Sequence, residues 1–177
     1  MKKYKLLIIS ILLLFVFVGC AKQDENVKMP VQVRTLSTFS FQEFQQKILF
    51  DLRVFPVLAD TSYSVIDDTN LSELYNEYKN ELFEKGVIRW DKSYDCNRFS
   101  QSFVTFLQIK FFANTRVNFN QGQALAVGEV YYTKTGVGRH AINILVTQQG
   151  TVFFEPQTGK ILKLTQKEIQ SITFIKF

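Results

Sequence analysis

Apolar residues recur at helical spacing in three segments between residues 40 and 110. In STFSFQEFQQKILFDLR, Ser40 and Glu43 stand at the spacing of a capping box before an apolar face. LSELYNEYKNELFEKG carries a second such face and ends at Gly86, a residue that favours helix termination. A third helix is predicted to begin after Asp95, where apolar residues follow at Phe99, Phe103 and Phe106. The first half of the chain is therefore predicted to be helical.

The last third of the chain has the pattern of β-strands. Five such segments lie between turn residues: ALAVGEVYYT, HAINILVT, GTVFFE, KILKLT and SITFIKF. Thr165 and Glu168 predict one short helical turn in TQKEIQS, and Pro56 makes VFPVLADTSYSVIDDTN a predicted loop. Helices followed by an antiparallel sheet predict the α+β class.

The N-terminus has the layout of a secretory signal. Three lysines precede an apolar run over residues 6–18, which is shorter than the roughly 20 residues of a membrane-spanning helix. The ending Phe-Val-Gly-Cys resembles the lipobox of bacterial lipoproteins, which implies lipidation of Cys20. We expect a signal at 1–19, a lipidated Cys20 with a flexible tether over 20–35, and one domain at 36–177. This layout places the domain in the cell envelope, outside the cytoplasm and anchored to a membrane.

Charge adds little to this picture. The formal net charge is +5, and removal of the three signal lysines, with no acid among residues 1–19, leaves +2. No basic stripe indicates nucleic-acid binding. After lipidation of Cys20, Cys96 has no intramolecular cysteine partner, which is unusual in an oxidising compartment.

Three residues follow one another in an order that suits thiol chemistry. Cys96 is predicted in the first turn of a helix, where backbone N–H groups and the helix dipole favour a thiolate. His140, the only histidine, begins a predicted strand, and Glu155 lies on the next strand. A thiol nucleophile needs a base and a group that orients the base, and these residue types supply both.

The motifs YDCNRF, RHAINILV and FFEPQTGKI resemble papain-like cysteine peptidases, and most of all the cysteine protease domain at the C-terminus of fungal agglutinins. The resemblance covers residues 90–177 at most. It implies a papain-like fold, with Cys96 as nucleophile, His140 as general base and Glu155 as orienting residue. It also raises calcium as a candidate cofactor, with Asp91 and Asp95 as oxygen ligands. No zinc site or EF-hand loop is predicted, so no metal residue is assigned.

Two parts of this site stay open in the sequence. With a hairpin turn at Gln149-Gly150, Glu155 lies about 13 Å from His140 at ~3.3 Å per residue, and Gln157 lies nearer. Gln157 is therefore a rival orienting residue. The oxyanion donor is either the backbone N–H of Cys96 or the indole of Trp90.

These observations predict a membrane-anchored lipoprotein with Cys-His-Glu thiol hydrolase activity through a thioester intermediate, that is, a cysteine-peptidase-like enzyme. The predicted substrate is a peptide, protein or peptidoglycan amide, and no nucleic acid is expected. The alternative is a catalytically inactive surface lipoprotein that acts as a binding or exclusion module.

Overall fold

The computed structural model describes residues 30–87, 91, 94–115 and 122–177. The strands are β1 Thr35–Ser40, β2 Ser62–Ile66, β3 Gln123–Leu125, β4 Val127–Lys134, β5 Gly138–Thr147, β6 Gly150–Glu155, β7 Lys160–Leu162 and β8 Phe174–Lys176. The helices are α1 Phe41–Leu52, α2 Leu71–Glu84, α3 Cys96–Thr115 and α4 Gln166–Gln170, with a 3-10 turn at Asp68–Asn70. Val31–Phe177 forms one compact unit.

The predicted signal, Cys20 and most of the predicted tether lie outside the described residues. Within the described part of the chain, no helix is both long enough and apolar enough to cross a bilayer.

The strands form one mixed sheet. Its main path runs β1-β2-β5-β4-β8, while β3 pairs with β2, and β6 links β5 to β7. Most neighbours are antiparallel, but β2 is parallel to β3 and, through Ile66 and Thr147, parallel to β5. The central hairpin of β4 and β5 has a continuous register from Val127 opposite Leu145 to Lys134 opposite Gly138.

The predicted fold class, a papain-like α+β fold with N-terminal helices followed by an antiparallel sheet, was wrong. β1 precedes the first helix, β2 lies between α1 and α2, and β2 pairs in parallel. The predicted loop around Pro56 contains β2, in which four consecutive residues from Tyr63 to Ile66 are buried. A strand buried on both faces lacks the alternation of polar and apolar residues that identifies a half-exposed strand.

The local helix signals were confirmed. Ser40 caps α1 and Thr165 caps α4, each in a complete capping box with the glutamate three residues later. At the start of α3, Asp95 Oδ1 accepts hydrogen bonds from the backbone N–H groups of Asn97 at 3.1 Å and Arg98 at 3.2 Å. Side-chain caps of this kind depend on a few adjacent residues, so they can be predicted from a sequence.

Two hydrophobic clusters cover the two faces of the sheet. We call the side packed by α1 and α4 the first face; Phe44 and Ile144 are buried there. The second face is packed by α2 and α3, with Phe103 and Leu145 in its core. Because successive residues of a strand point to opposite faces, β5 contributes to both clusters.

Candidate functional site

The hairpin of β5 and β6 brings His140 and Glu155 into direct contact. The ring Nε2–H of His140 donates to Glu155 Oε2 over 2.6 Å. His140 is 9% exposed and Glu155 is 5% exposed. A carboxylate has no proton to donate, so this bond assigns the ring proton to Nε2 and makes Nδ1 an acceptor in the neutral ring.

The hairpin turn explains why this contact differs from the sequence-based distance of about 13 Å at ~3.3 Å per residue. Thr147 pairs with Gly150, which puts the turn at Gln148 and Gln149 rather than at Gln149 and Gly150. Gln149 N–H donates to Thr147 Oγ1 over 3.1 Å, and Gly150 adopts a φ of 120° that favours glycine. This shifts the pairing by two residues and moves Glu155 towards His140.

Tyr132 lies beside His140 on the first face of the sheet, and the sequence pattern did not identify it. It pairs with His140 across β4 and β5, with ring centroids 5.8 Å apart. Burial raises the pKa of Tyr132 to about 12, with further contributions from the charges of Glu168, Glu155 and Cys96. The phenol is therefore protonated at neutral pH. A hairpin between the predicted strands ALAVGEVYYT and HAINILVT would have indicated it, because the pairing places Tyr132 opposite His140.

Cys96 begins α3 and is half-buried. Its thiol lies 3.8 Å from Asn97 Oδ1, to which it donates a weak hydrogen bond. Cys96 contributes electrostatically to the raised pKa values of Tyr131 and Tyr132, the second of which pairs with His140. The Asn97 and Arg98 N–H groups donate to Asp95, and the oxyanion role of the Cys96 N–H stays a prediction.

A buried carboxylate lies on the other side of β4 from His140. The Tyr131 hydroxyl donates to Glu129 Oε2 over 2.9 Å, and Glu129 is 8% exposed. Burial, followed by the hydrogen bond and charge of Glu129, raises the pKa of Tyr131 to about 12. Tyr131 and Tyr132 thus present protonated phenols on opposite faces of β4, a feature that the sequence motifs did not indicate.

The remaining predicted residues divide into two groups. Gln157 does not replace Glu155 as the partner of His140; its backbone N–H donates to Glu155 Oε1 over 3.4 Å. The Gln157 Nε2 atom is buried and has no hydrogen-bond partner. Trp90 and Cys20 lie outside the described residues, so their predicted roles stay predictions.

The predicted calcium ligands Asp91 and Asp95 each accept backbone hydrogen bonds near the start of α3. Asp95 Oδ1 caps α3, and Asp91 Oδ1 accepts a hydrogen bond from Tyr94 N–H over 2.9 Å. Among the described residues, no group of three or more His, Cys, Asp or Glu side chains is placed to hold a metal ion. The calcium ion that the family resemblance implied therefore stays a prediction.

Two solved structures share this fold. One is described as "PSL1a-E64 complex" and the other is Polyporus squamosus lectin bound to the human-type influenza-binding epitope Neu5Aca2-6Galb1-4GlcNAc. Each has a TM-score of 0.61 and 21% sequence identity over 79% of this chain. The chain spans about half of those proteins, 51% and 49% of their lengths. No curated protein matches this sequence.

These comparisons contradict the predicted thiol hydrolase, its classification as a cysteine-peptidase-like enzyme, and its peptide, protein or peptidoglycan amide substrate. The matching family model is described as agglutinin C-terminal, and one of the two structures is named as a lectin bound to a glycan. The resemblance to the C-terminal domain of fungal agglutinins is confirmed. The hydrolase prediction rested on residue order and on the resemblance to papain-like peptidases, which these comparisons do not support. The model of the agglutinin C-terminal family matches residues 63–161, more than half of this chain. The chain therefore belongs to the agglutinin C-terminal family.

Proposed function

We propose that this chain is a carbohydrate-binding protein whose ligand site lies at the His140 end of β5. The observation that carries this proposal is the buried hydrogen bond of 2.6 Å between His140 and Glu155. It holds an imidazole rigidly with Nδ1 able to accept a hydrogen bond. A rigid polar group of this kind gives a ligand orientation at little entropic cost.

The unpaired amide of Gln157 supports the same conclusion. Its buried Nε2 has no partner, and an unsatisfied buried donor costs about 1–3 kcal/mol. A sugar hydroxyl both donates and accepts hydrogen bonds, so one hydroxyl suits Nδ1 of His140 and a second suits Nε2 of Gln157. Family membership and the glycan held by the lectin of similar fold favour a carbohydrate over other hydroxyl-bearing ligands.

Cys96, His140 and Glu155 are proposed as parts of this one site. In it His140 accepts a ligand hydrogen bond, Glu155 orients His140, and Cys96 forms part of the wall. Iodoacetamide labelling of Cys96, followed by peptide mass spectrometry, tests the placement. A bound glycan should slow labelling at least fivefold, whereas a labelling rate independent of saturating glycan would remove Cys96 from the site.

The cellular location is proposed from the sequence pattern alone. The basic start, the apolar run and Cys20 support a signal at 1–19, a lipid anchor at Cys20 and a tether over 20–35. The domain at 36–177 would then bind glycans outside the cytoplasm, close to the membrane. Metabolic labelling with a fatty-acid analogue tests the anchor, because Cys20→Ser should abolish incorporation.

Calorimetric titration of the full chain tests the binding function. The ligands are Neu5Aca2-6Galb1-4GlcNAc, named for the lectin of similar fold, its neutral disaccharide part, and cellobiose as a control sugar. Glu155→Gln keeps the shape but weakens the bond that orients His140, and should reduce affinity at least tenfold. Glu73→Gln makes the same charge change on an exposed residue of α2 and should leave affinity unchanged.

Two outcomes would contradict the proposal. One is that none of the three sugars gives a heat of binding, although the circular dichroism spectrum shows that the chain is folded. The other is glycan binding that Glu155→Gln and His140→Gln leave unchanged, since it would place the site elsewhere. Circular dichroism and thermal unfolding of each variant separate a lost site from a lost fold.

A further inference from the structure

The turn between β6 and β7 holds Glu155 in place. The backbone N–H groups of Thr158 and Gly159 donate to the carbonyl oxygen of Glu155 over 3.2 Å and 2.8 Å. On the side chain, Glu155 Oε1 accepts from Gln157 N–H over 3.4 Å. Because the other carboxylate oxygen, Oε2, bonds to His140, the shape of this turn affects how the imidazole ring is held.

A tyrosine of α2 packs against this turn. Gly159 has a φ of 70°, a backbone conformation that favours glycine. A methyl group added there would lie 2.7 Å from Tyr75 Cζ and nearer still to two other carbons of the same ring. Side chains do not approach one another so closely in a packed protein, so no larger residue fits between the turn and the ring. Gly159 and Tyr75 are therefore in direct contact.

Tyr75 is itself held by the core of the second face. It is half-buried and packs against the hydrophobic cluster of that face. Its ring meets the Phe154 ring edge-on, with centroids 5.6 Å apart, and lies 6.3 Å from the Tyr78 ring. Phe154 immediately precedes Glu155 in the chain. Tyr75 therefore restrains the chain on both sides of Glu155, at the end of β6 and in the turn that follows it.

The phenol of Tyr75 also interacts electrostatically with the Glu155 carboxylate. Burial raises the pKa of Tyr75 above its ordinary value, and the negative charge of Glu155 raises it further. The hydroxyl is therefore protonated and uncharged at neutral pH, so it adds no second negative charge beside Glu155. What Tyr75 contributes at this pH is the packing of its ring.

We propose that Tyr75 is a positioning residue of the site formed by His140 and Glu155. By packing on Phe154 and Gly159, it fixes the end of β6 and the following turn, and with them the direction of the Glu155 carboxylate. A helix of the second face thereby orients the imidazole ring on the first face. The expected effect on glycan affinity rests on the proposed carbohydrate-binding function, whereas the expected effect on the ring does not.

NMR of the imidazole nitrogens in the full chain tests this inference, because His140 is the only histidine and its ring signals are unambiguous. In the wild type, the neutral ring should be the Nε2–H tautomer, with a proton that exchanges slowly with water. Tyr75→Leu keeps an apolar side chain but removes the ring. It should speed the exchange of this proton by about tenfold and populate the Nδ1–H tautomer. Tyr75→Phe keeps the ring and should stay within about twofold of the wild-type rate.

Gly159→Ala tests the same contact from the side of the turn. The added methyl group displaces the Tyr75 ring and should change the His140 signals in the same way. Gly86→Ala is the matched control, because Gly86 has a φ of 78° and a methyl group there meets nothing within 4 Å. It adds similar backbone strain and should leave the His140 signals unchanged. When Tyr75→Leu and Gly159→Ala are combined, their effects should be smaller than the sum of the single effects, since both remove one contact.

Calorimetric titration with the same three sugars gives a second readout. Tyr75→Leu and Gly159→Ala should each reduce glycan affinity by about fivefold, because a less rigid imidazole loses more entropy on binding. Tyr75→Phe and Gly86→Ala should bind like the wild type. Circular dichroism and urea denaturation of each variant separate these effects from unfolding.

Three results would overturn the inference. The first is unchanged His140 signals in Tyr75→Leu and Gly159→Ala despite a lower free energy of unfolding, since Tyr75 would then be a core residue only. The second is an effect of Tyr75→Phe equal to that of Tyr75→Leu, because the first variant keeps the ring. The third is full additivity of the two single effects. The expected changes at His140 in a chain that binds none of the sugars would support the inference and contradict the proposed function.

Discussion

The two faces of the sheet both contain buried polar side chains, but they use them differently. On the second face, Asn143 Nδ2 donates to Ser100 O at 3.0 Å, Ser100 Oγ at 3.1 Å and Gly128 O at 3.2 Å. Ser100 Oγ in turn donates to Ile142 O over 3.0 Å. These bonds join α3 to two strands of the sheet. On the first face, His140 and Glu155 bond to each other through their side chains.

This difference distinguishes a structural polar cluster from a candidate site. An unpaired atom does not separate the two faces, because Asn143 Oδ1 and Gln157 Nε2 both lack partners. The hydrogen-bond partners of Asn143 and His140 do distinguish the two faces. Asn143 satisfies backbone and hydroxyl oxygens of neighbouring elements, which holds the fold together. The hydrogen bond from His140 to Glu155 orients the imidazole ring and leaves its Nδ1 atom able to bind a ligand.

The largest expected effect is a loss of core packing on the second face. Phe103 is fully buried in α3 and stacks on Phe154 of β6 at 4.9 Å. Phe103→Ala should lower the free energy of unfolding by about 3–5 kcal/mol, as measured by urea denaturation. Phe44→Ala is the matched change on the first face, where Phe44 stacks on Tyr63 at 4.3 Å. A loss below about 1 kcal/mol for either variant would contradict its place in a tightly packed core.

The next largest effect is a loss of stability at Asn143 without a loss of glycan binding. Asn143→Ala should lower the free energy of unfolding by about 1–3 kcal/mol, because it leaves buried oxygens without a donor. Glycan affinity should stay within twofold of the wild-type value, since Asn143 faces α3. A large loss of affinity with unchanged stability would reverse the roles that we assign to the two faces.

Two adjacent tyrosines provide a sharper comparison. The pKa values of Tyr131 and Tyr132 are both raised to about 12, from an ordinary value of 10.0. Each phenol therefore stabilises the fold below pH 10, and this contribution is lost as the pH rises towards 12. Tyr131→Phe and Tyr132→Phe should each reduce the loss of stability over that range, as followed by thermal unfolding. Only Tyr132→Phe, on the face of His140, should also weaken glycan binding, by several-fold.

The outcome that would contradict this comparison is an equal loss of glycan affinity in the two tyrosine variants. It would mean that the ligand contacts both faces at this end of β4. Labelling of Cys96 in the same variants would then show which hydroxyl is closer to the bound sugar.

The smallest expected effect lies at the rim of the site. The pKa of Glu168 is lowered to about 2 from 4.5 by hydrogen bonds to its carboxylate. Its contribution to stability is therefore present above pH 4.5 and is lost as the pH falls towards 2. Glu168→Gln should flatten the pH dependence of the unfolding temperature in this range. Glu73→Gln is the exposed control, and an identical pH profile for the two variants would contradict a special role for Glu168.

Much of the local structure could be predicted from the sequence. Ser40 with Glu43, Thr165 with Glu168, and Asp95 marked the starts of three helices, and each cap is present. These signals are short in range, so the residues that form them are adjacent in the chain. Cys96 at the start of α3 was confirmed for the same reason. The buried strand β2 was missed because its flanking Pro56 and aspartates suggested a loop.

From the sequence alone, Cys96 is placed at a helix start and His140 at a strand start, and Glu155 is placed on the neighbouring strand. Their contact depends on the tertiary structure, because a hairpin turn one residue earlier shifts every cross-strand pairing by two residues. Tertiary packing also placed Tyr132 beside His140, and made β2 parallel to β3. Strand pairing and register depend on contacts between residues distant in the chain, and no local pattern encodes them.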